Sequence, residues 1–196
     1  MSMRAVGNWI GLDHAPEPGL AVNRERLLRL APSANATIIA GLAERFDELA
    51  GDHDIATPRR ICHFLAQAAH ETDGFRTLEE YGGPAYFIRY EGRRDLGNTQ
   101  AGDGIRYHGR GIFQLTGRAN YRLFGQLLGI DLETEPERAK EPEISLRVAF
   151  AYWGERAINA AADADDSERV TKLINGGRNG LSERVRYLAK AKAIWF

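Results

Sequence analysis

Residues Thr57–Phe75 read TPRRICHFLAQAAHETDGF, and the reading of this stretch decides the fold. Thr57 followed by Pro58 is an N-cap with a first-turn proline, and Ile61, Phe64, Leu65 and Ala68 recur as an apolar stripe at helical spacing. The spacing predicts a core helix that carries His70 and Glu71 at its end. Gly74 follows, where a left-handed residue closes a helix and turns the chain back.

Outward from this helix the pattern stays helical. Towards the N-terminus, Asn23 caps a short helix through Leu30, which Pro32 ends, and Ile38, Leu42, Phe46 and Leu49 recur up to Gly51. Towards the C-terminus, Tyr121, Phe124, Leu127 and Leu128 precede Gly129, and a helix after Pro142 turns Ile144, Val148 and Tyr152 or Trp153 inward. Ser167 is read as the cap of a short helix holding Val170, Leu173 and Ile174, which stops at Asn175, Gly176 and Gly177. The last helix, from about Ser182, is expected to bury Val185, Leu188 and Ile194. Between Gly82 and Gly111 the sequence is rich in glycine and aromatic residues and has no period. Loops of that length inside a compact domain are usually functional. The expected fold is mainly α, with at most a small β-hairpin in the glycine-rich segment, in one catalytic domain over residues 1–196. Residues 1–56 supply N-terminal helices to it and residues 57–196 its core.

Composition excludes several function classes. Lys and Arg number 26 against 27 Asp and Glu, so no overall field attracts a nucleic acid. The single cysteine, Cys62, lies in an apolar helical pattern and has no internal disulfide partner, which suits synthesis in a reducing compartment. Residues Met1–Leu20 contain Asp13, Pro16, Glu17 and Pro18 where an export signal needs an apolar run. No window approaches the ~20 apolar residues of a membrane span. Synthesis in the cytoplasm without a signal peptide is expected, with no membrane insertion and a monomeric state.

The chemistry centres on carboxylates. A carboxyl part-buried at a helix C-terminus, as expected for Glu71, has its charged form disfavoured by desolvation and by the dipole, which suits a general acid. Inverting glycoside hydrolysis needs a second carboxylate roughly 6.5–9.5 Å away. Glu79, Glu80 and Glu91 are the candidates. On an unbroken helix Glu80 would lie ~13.5 Å further along on the wrong face, so the reversal at Gly74 is required. Rival chemistries fail on spacing: His70 is ~12 Å from Cys62 along the axis, and His63 and His70 are ~10.5 Å apart, too far to share a metal. No metal or organic cofactor is expected.

The runs AHET, YHGRGIFQLTGRANY and LINGG, in this order, resemble chitinase family 19, the glycoside hydrolases of that number, in the form found in phage and prophage endolysins. The resemblance covers roughly Arg59 to the C-terminus. It implies a lysozyme-like helical domain with a substrate cleft, Glu71 as general acid, and Glu80 as the second carboxylate with Glu91 in reserve. It further implies Gln114, Thr116, Asn120, Asn175 and Arg184 as substrate-binding residues. His70 is open between a structural hydrogen bond and a role at the site, orienting the acid or touching substrate, and Tyr107 and Tyr121 between core packing, the commoner fate of an aromatic, and stacking on sugar faces. Plant members carry a tyrosine where this chain has Ala119. The implied activity is inverting cleavage of β-1,4 glycosidic bonds in peptidoglycan, acting on the cell wall after release by another factor. A chitinase acting on N-acetylglucosamine polymers and a non-catalytic wall-binding or effector domain are the alternatives. The partner is in each case a peptidoglycan or chitin-like polysaccharide.

Overall fold

The computed structural model describes residues 19–196; the reading of Met1–Leu20 as lacking an export signal lies outside them save for Gly19 and Leu20. Among the described residues ten α-helices follow one another: α1 (Arg24–Leu30), α2 (Ala36–Asp52), α3 (Pro58–Glu71), α4 (Pro84–Phe87), α5 (Asp103–Arg106), α6 (Arg118–Leu128), α7 (Pro142–Glu155), α8 (Asn159–Asp163), α9 (Ser167–Asn175) and α10 (Leu181–Trp195). The mainly helical class is as expected.

α3 is the axis of the molecule. Every residue from Ile61 to Ala69 is buried, because α10, α8 and α9 pack around it. Its start is built as the sequence implies: Pro58 sits in the first turn and the Thr57 hydroxyl accepts the backbone N–H of Arg60. α1 lies against α10 and α2, and α2 against α7. Phe46, Phe64, Phe150 and Trp153 meet at the centre, with the Phe64 and Phe150 rings 4.5 Å apart. A second, smaller apolar cluster joins Tyr107, Leu115, Tyr121, Phe124 and Leu132 to Ile144 and Val148 on α7.

Three helical readings are corrected. Asp166, not Ser167, caps α9, accepting the N–H of Arg169. Leu127 is half-exposed. α10 buries Arg184, Leu188, Ala191 and Trp195 and leaves Val185 outside, one residue away from the predicted face.

After α3 the chain reverses in a tight knot. Asp73, Gly74 and Phe75 all take positive φ, 50°, 68° and 57°. The Thr72 hydroxyl donates to Ala68 and accepts from the N–H of Phe75, tying the turn to the helix it ends. The returning segment runs beside Gly109–Gly111: Glu80 N–H donates to Gly109 O, and Gly111 N–H to Leu78 O. Isolated antiparallel bridges join Glu79 to Arg110 and Arg110 to Leu115, which is all the β-structure among the described residues. The rest of the glycine-rich segment is short helical turns, pinned by the buried Asp103 carboxylate. It accepts the N–H groups of Thr99 and Gln100 and the Arg118 guanidinium. No helix among the described residues is long and apolar enough to cross a membrane.

Candidate active site

The C-terminal ends of α3, α7 and α9 converge on a cavity of about 320 Å³ at the junction of the two apolar clusters. Glu71 lines it from the end of α3, Asn175 from the end of α9, and Arg156 from just past the end of α7. The loop before α6 contributes Gln114 and Thr116, and α6 contributes Asn120. The sequence thus brings Glu71, Gln114, Thr116, Asn120 and Asn175 to one place. Their polar atoms are partly committed locally: Thr116 Oγ1 donates to Gln114 O, and Asn120 Nδ2 to Thr116 O. Asn175 Nδ2 donates to Asn179 O while its oxygen accepts from Gly177.

The Glu71 carboxyl is part-buried at the end of α3, as expected, but it meets a cation there. Arg184 Nη2 donates to Glu71 Oε1 at 2.5 Å, from a side chain only 2% exposed. The same guanidinium donates from Nη1 to Gln67 Oε1 at 2.5 Å and from Nε to Asn179 O at 3.1 Å. Gln67 in turn donates to Thr171 Oγ1. Arg184 is therefore corrected from a sugar-contacting residue to the buried partner of Glu71. Gln67, which sequence reasoning passed over, is the residue that holds Arg184. Its signal was a polar side chain one turn before Glu71, within the mostly apolar run Ile61–Ala69.

Of the two roles open to His70, the structural hydrogen bond is the one present. His70 does not line the cavity; its Nδ1 meets Glu183 Oε2 at 2.8 Å, and a side-chain carbon on Gly180 would collide with its ring. His70 thus braces the start of α10, from which Arg184 reaches Glu71. Tyr107, 1% exposed, and Tyr121, 0% exposed, pack against each other in the smaller cluster, so neither ring has a face to offer a sugar. Tyr121 Oη donates to His108 O, which spends its hydroxyl inside.

The candidate second carboxylates separate by what surrounds them. Glu80 accepts from Arg89 Nη2 at 2.7 Å and Tyr90 Oη at 2.8 Å on one oxygen, and from Gly109 N–H at 3.0 Å on the other. It lies close to Gln114. A side-chain carbon placed on Gly109 would come within 2.6 Å of Gln114 Oε1 and 3.1 Å of Glu80 Oε2, so only glycine lets the two side chains meet over it. Glu80 also borders a neighbouring hollow of about 400 Å³ with Tyr81, Phe87 and His108. Glu79, its neighbour in extended chain, is engaged elsewhere with His108 and Lys140. Burial alone would raise its carboxyl, but the hydrogen bonds from Lys140 and His108 outweigh that and hold it below the ordinary value. Glu91, the reserve candidate, accepts the N–H groups of Gly102 and Gly104, one on each oxygen, and so serves to close the loop.

Burial pushes the Cys62 thiol up to about 12, leaving no thiolate for nucleophilic chemistry. Among the described residues no group of three or more His, Cys, Asp and Glu side chains is placed to hold a metal ion. The arginines of the glycine-rich segment are mostly spent on protein partners: Arg89 on Glu80, Arg93 on Asp95, and Arg110 on Glu137.

Comparison with known proteins gives one family model, chitinase class I, matching residues 33–166. A glycosyl hydrolase family 19 domain-containing protein of Haemophilus influenzae is 32% identical over 151 residues, 63% of this chain and 74% of that one. The acidic 27 kDa endochitinase of Solanum lycopersicum is 32% identical over 146 residues, with 63% of this chain matched to 56% of the plant protein. The chain thus spans little more than half the length of that plant relative. Chitinase C of Streptomyces griseus superimposes with a TM-score of 0.74 over 91% of this chain and 94% of that one, at 22% identity.

Proposed function

Because the chain belongs to the chitinase class I family, the family 19 glycoside hydrolases, we propose that it is an inverting endo-glycosidase of bacterial cell-wall peptidoglycan. The observation that carries the reading is Glu71 at the mouth of α3, backed by Arg184 and facing a cavity lined with amide and hydroxyl groups. Glu71 gives its proton to the leaving glycosidic oxygen, and the guanidinium behind it stabilises the carboxylate that remains. Glu80 takes a proton from the attacking water on the opposite side of an oxocarbenium-like centre. A carboxylate has about four lone-pair sites, and three donors meet Glu80, so one site on the oxygen facing Gly109 stays open to water. Gln114 and Thr116 bind sugar and help hold that water, and Asn120 and Asn175 offer amides to N-acetyl and hydroxyl groups.

Peptidoglycan is preferred over chitin because Ala119 stands where plant chitinases carry a tyrosine beside the sugar-binding asparagine. We place the action at the wall, after release from the cytoplasm through a separate pore, by a monomer whose residues 1–56 back the catalytic core. The second reading, a chitinase, is favoured by the names of the relatives, an endochitinase in tomato and chitinase C in Streptomyces. Purified walls and a chitin hexamer, each incubated with wild type and Glu71→Gln, separate these readings. Wild type should release reducing ends from walls faster than from the hexamer, and Glu71→Gln should lose about 10²–10⁴-fold of that rate. Equal release by the two proteins overturns the assignment of the acid. Faster cleavage of the hexamer selects the chitinase.

A further inference from the structure

Two charged side chains line the Glu71 cavity, Glu71 itself and Arg156. The charge of Glu71 is answered by Arg184, which is buried behind it and does not line the space. Arg156 is answered by nothing. It is exposed, and it pairs with no carboxylate of the described residues, whereas Arg60, Arg110, Arg118 and Arg122 all have acidic partners.

Arg156 is nevertheless fixed in place. Its guanidinium carbon sits 3.5 Å from the centroid of the Tyr152 ring. Tyr152 is itself anchored, its hydroxyl donating to Ile174 O at 2.6 Å and its ring packing between Phe113 and Phe124. Burial pushes the Tyr152 hydroxyl up, with the Arg156 charge opposing and the Glu71 charge adding, so both charges act on this ring. A planar cation stacked on a rigid aromatic, with its edge free, is pre-organised for a carboxylate and loses little side-chain freedom on binding one.

We infer that Arg156 recognises a carboxylate carried by the glycan, so that the cavity distinguishes the anionic wall polymer from neutral chitin. The inference rests on the glycan-cleaving reading above. Chitin has no ionisable group, whereas wall glycan bears on alternate sugars a lactyl ether whose carboxyl is either free or extended by a peptide with carboxylates of its own. The other role for a cation here, settling the negative end of the α7 dipole, would be indifferent to substrate charge.

Binding by the Glu71→Gln protein, which holds glycan without cutting it, tests this directly. Calorimetry would compare a wall tetrasaccharide with free lactyl carboxylates, the same molecule with its carboxyls converted to amides, and a peptide-bearing form with an amide-linked lactyl group. The carboxylate form should bind about five- to tenfold tighter than the amide at low salt, the size of one charge-assisted hydrogen bond at a half-open site. Adding Arg156→Gln should erase that preference and Arg156→Lys should keep part of it. A larger preference for the peptide-bearing form would assign the carboxylate to the peptide, a larger one for the bare form to the lactyl arm. Equal affinity for charged and amidated glycans, or a preference that survives Arg156→Gln, overturns the inference while leaving the hydrolase reading intact. Failure of every glycan to bind, with no cleavage by wild type, overturns both.

Discussion

A guanidinium fixed 2.5 Å from a carboxylate, itself buried and held by a glutamine, leaves that carboxylate one direction in which to act. Arg184→Met should therefore cost about 10²-fold in kcat on wall glycan by removing the charge that stabilises ionised Glu71 after proton donation. Steady-state kinetics checks it, and a variant that changes KM alone would make Arg184 a sugar-binding residue instead. Gly109 gives a second prediction. A methyl group there displaces the flexible end of Gln114 and crowds Glu80, so Gly109→Ala should stay folded yet lose about 10²-fold in rate, the cost of misplacing reacting groups by about 1 Å. A thermal melt alongside the assay separates the two effects. At this scale the motif runs were legible, since Gln114, Thr116, Asn120 and Asn175 do gather at Glu71. Gln67 and Tyr90 were not, because their roles depend on partners more than a turn away in sequence, and Arg156 was not, because nothing in its sequence neighbourhood shows that it lines the cavity. Tyr107 stayed open between core and sugar because an aromatic beside a motif carries no sign of which way it faces; its burial decides for the core.

The elements were legible where local chemistry sets them and obscure where distant partners do. α3 begins at its Thr57 cap and Pro58 as read, and Thr57→Ala should lower unfolding free energy by about 1 kcal/mol in a urea titration. α10 shows the opposite case. Apolar periodicity selected Val185, yet the helix turns Arg184 inward because Glu71 and Gln67 await it, and the face becomes Arg184, Leu188, Ala191 and Trp195. A buried arginine cannot be foreseen from spacing. The glycine-rich segment has no period because its order comes from polar anchors. Asp103→Ala removes the acceptor for two backbone N–H groups and Arg118, and should cost about 3–5 kcal/mol, as breaking a buried pair does. Loss of less than 1 kcal/mol in the same titration would show that the loop holds without it.

Over the whole molecule, acidification should unfold the protein in two stages. Burial lowers the His63 and His53 values below 6.5, although Asp165 raises that of His63, and Lys192 and Arg59 add to the lowering. As pH falls through 6.5 the unfolded chain takes up protons that these buried rings refuse, so stability, complete above that point, declines until the folded values are passed. The second stage belongs to Asp103, Asp163 and Asp165. Hydrogen bonds from Arg118 and Arg60 hold the first two below the ordinary carboxylate range. For Asp165, burial pulls upward, but hydrogen bonds from Lys192 and His63 prevail. Their contribution is present above that range and is lost as pH falls through the folded values, while Asp47, raised by burial, opposes it. Melting curves should show the first decline setting in as pH falls through about 6.5, reduced in His63→Gln; an identical decline in that variant would remove His63 from the account. With Glu71 at the end of the central helix proposed as acid, and Glu80 on the returning segment beside the neighbouring hollow proposed as base, single-step displacement by water is the chemistry to test. Proton NMR of the first products released from a β-1,4-linked substrate reads that step: the α-anomer should appear first and then mutarotate, whereas initial release of the β-anomer would contradict inversion by Glu71 and Glu80.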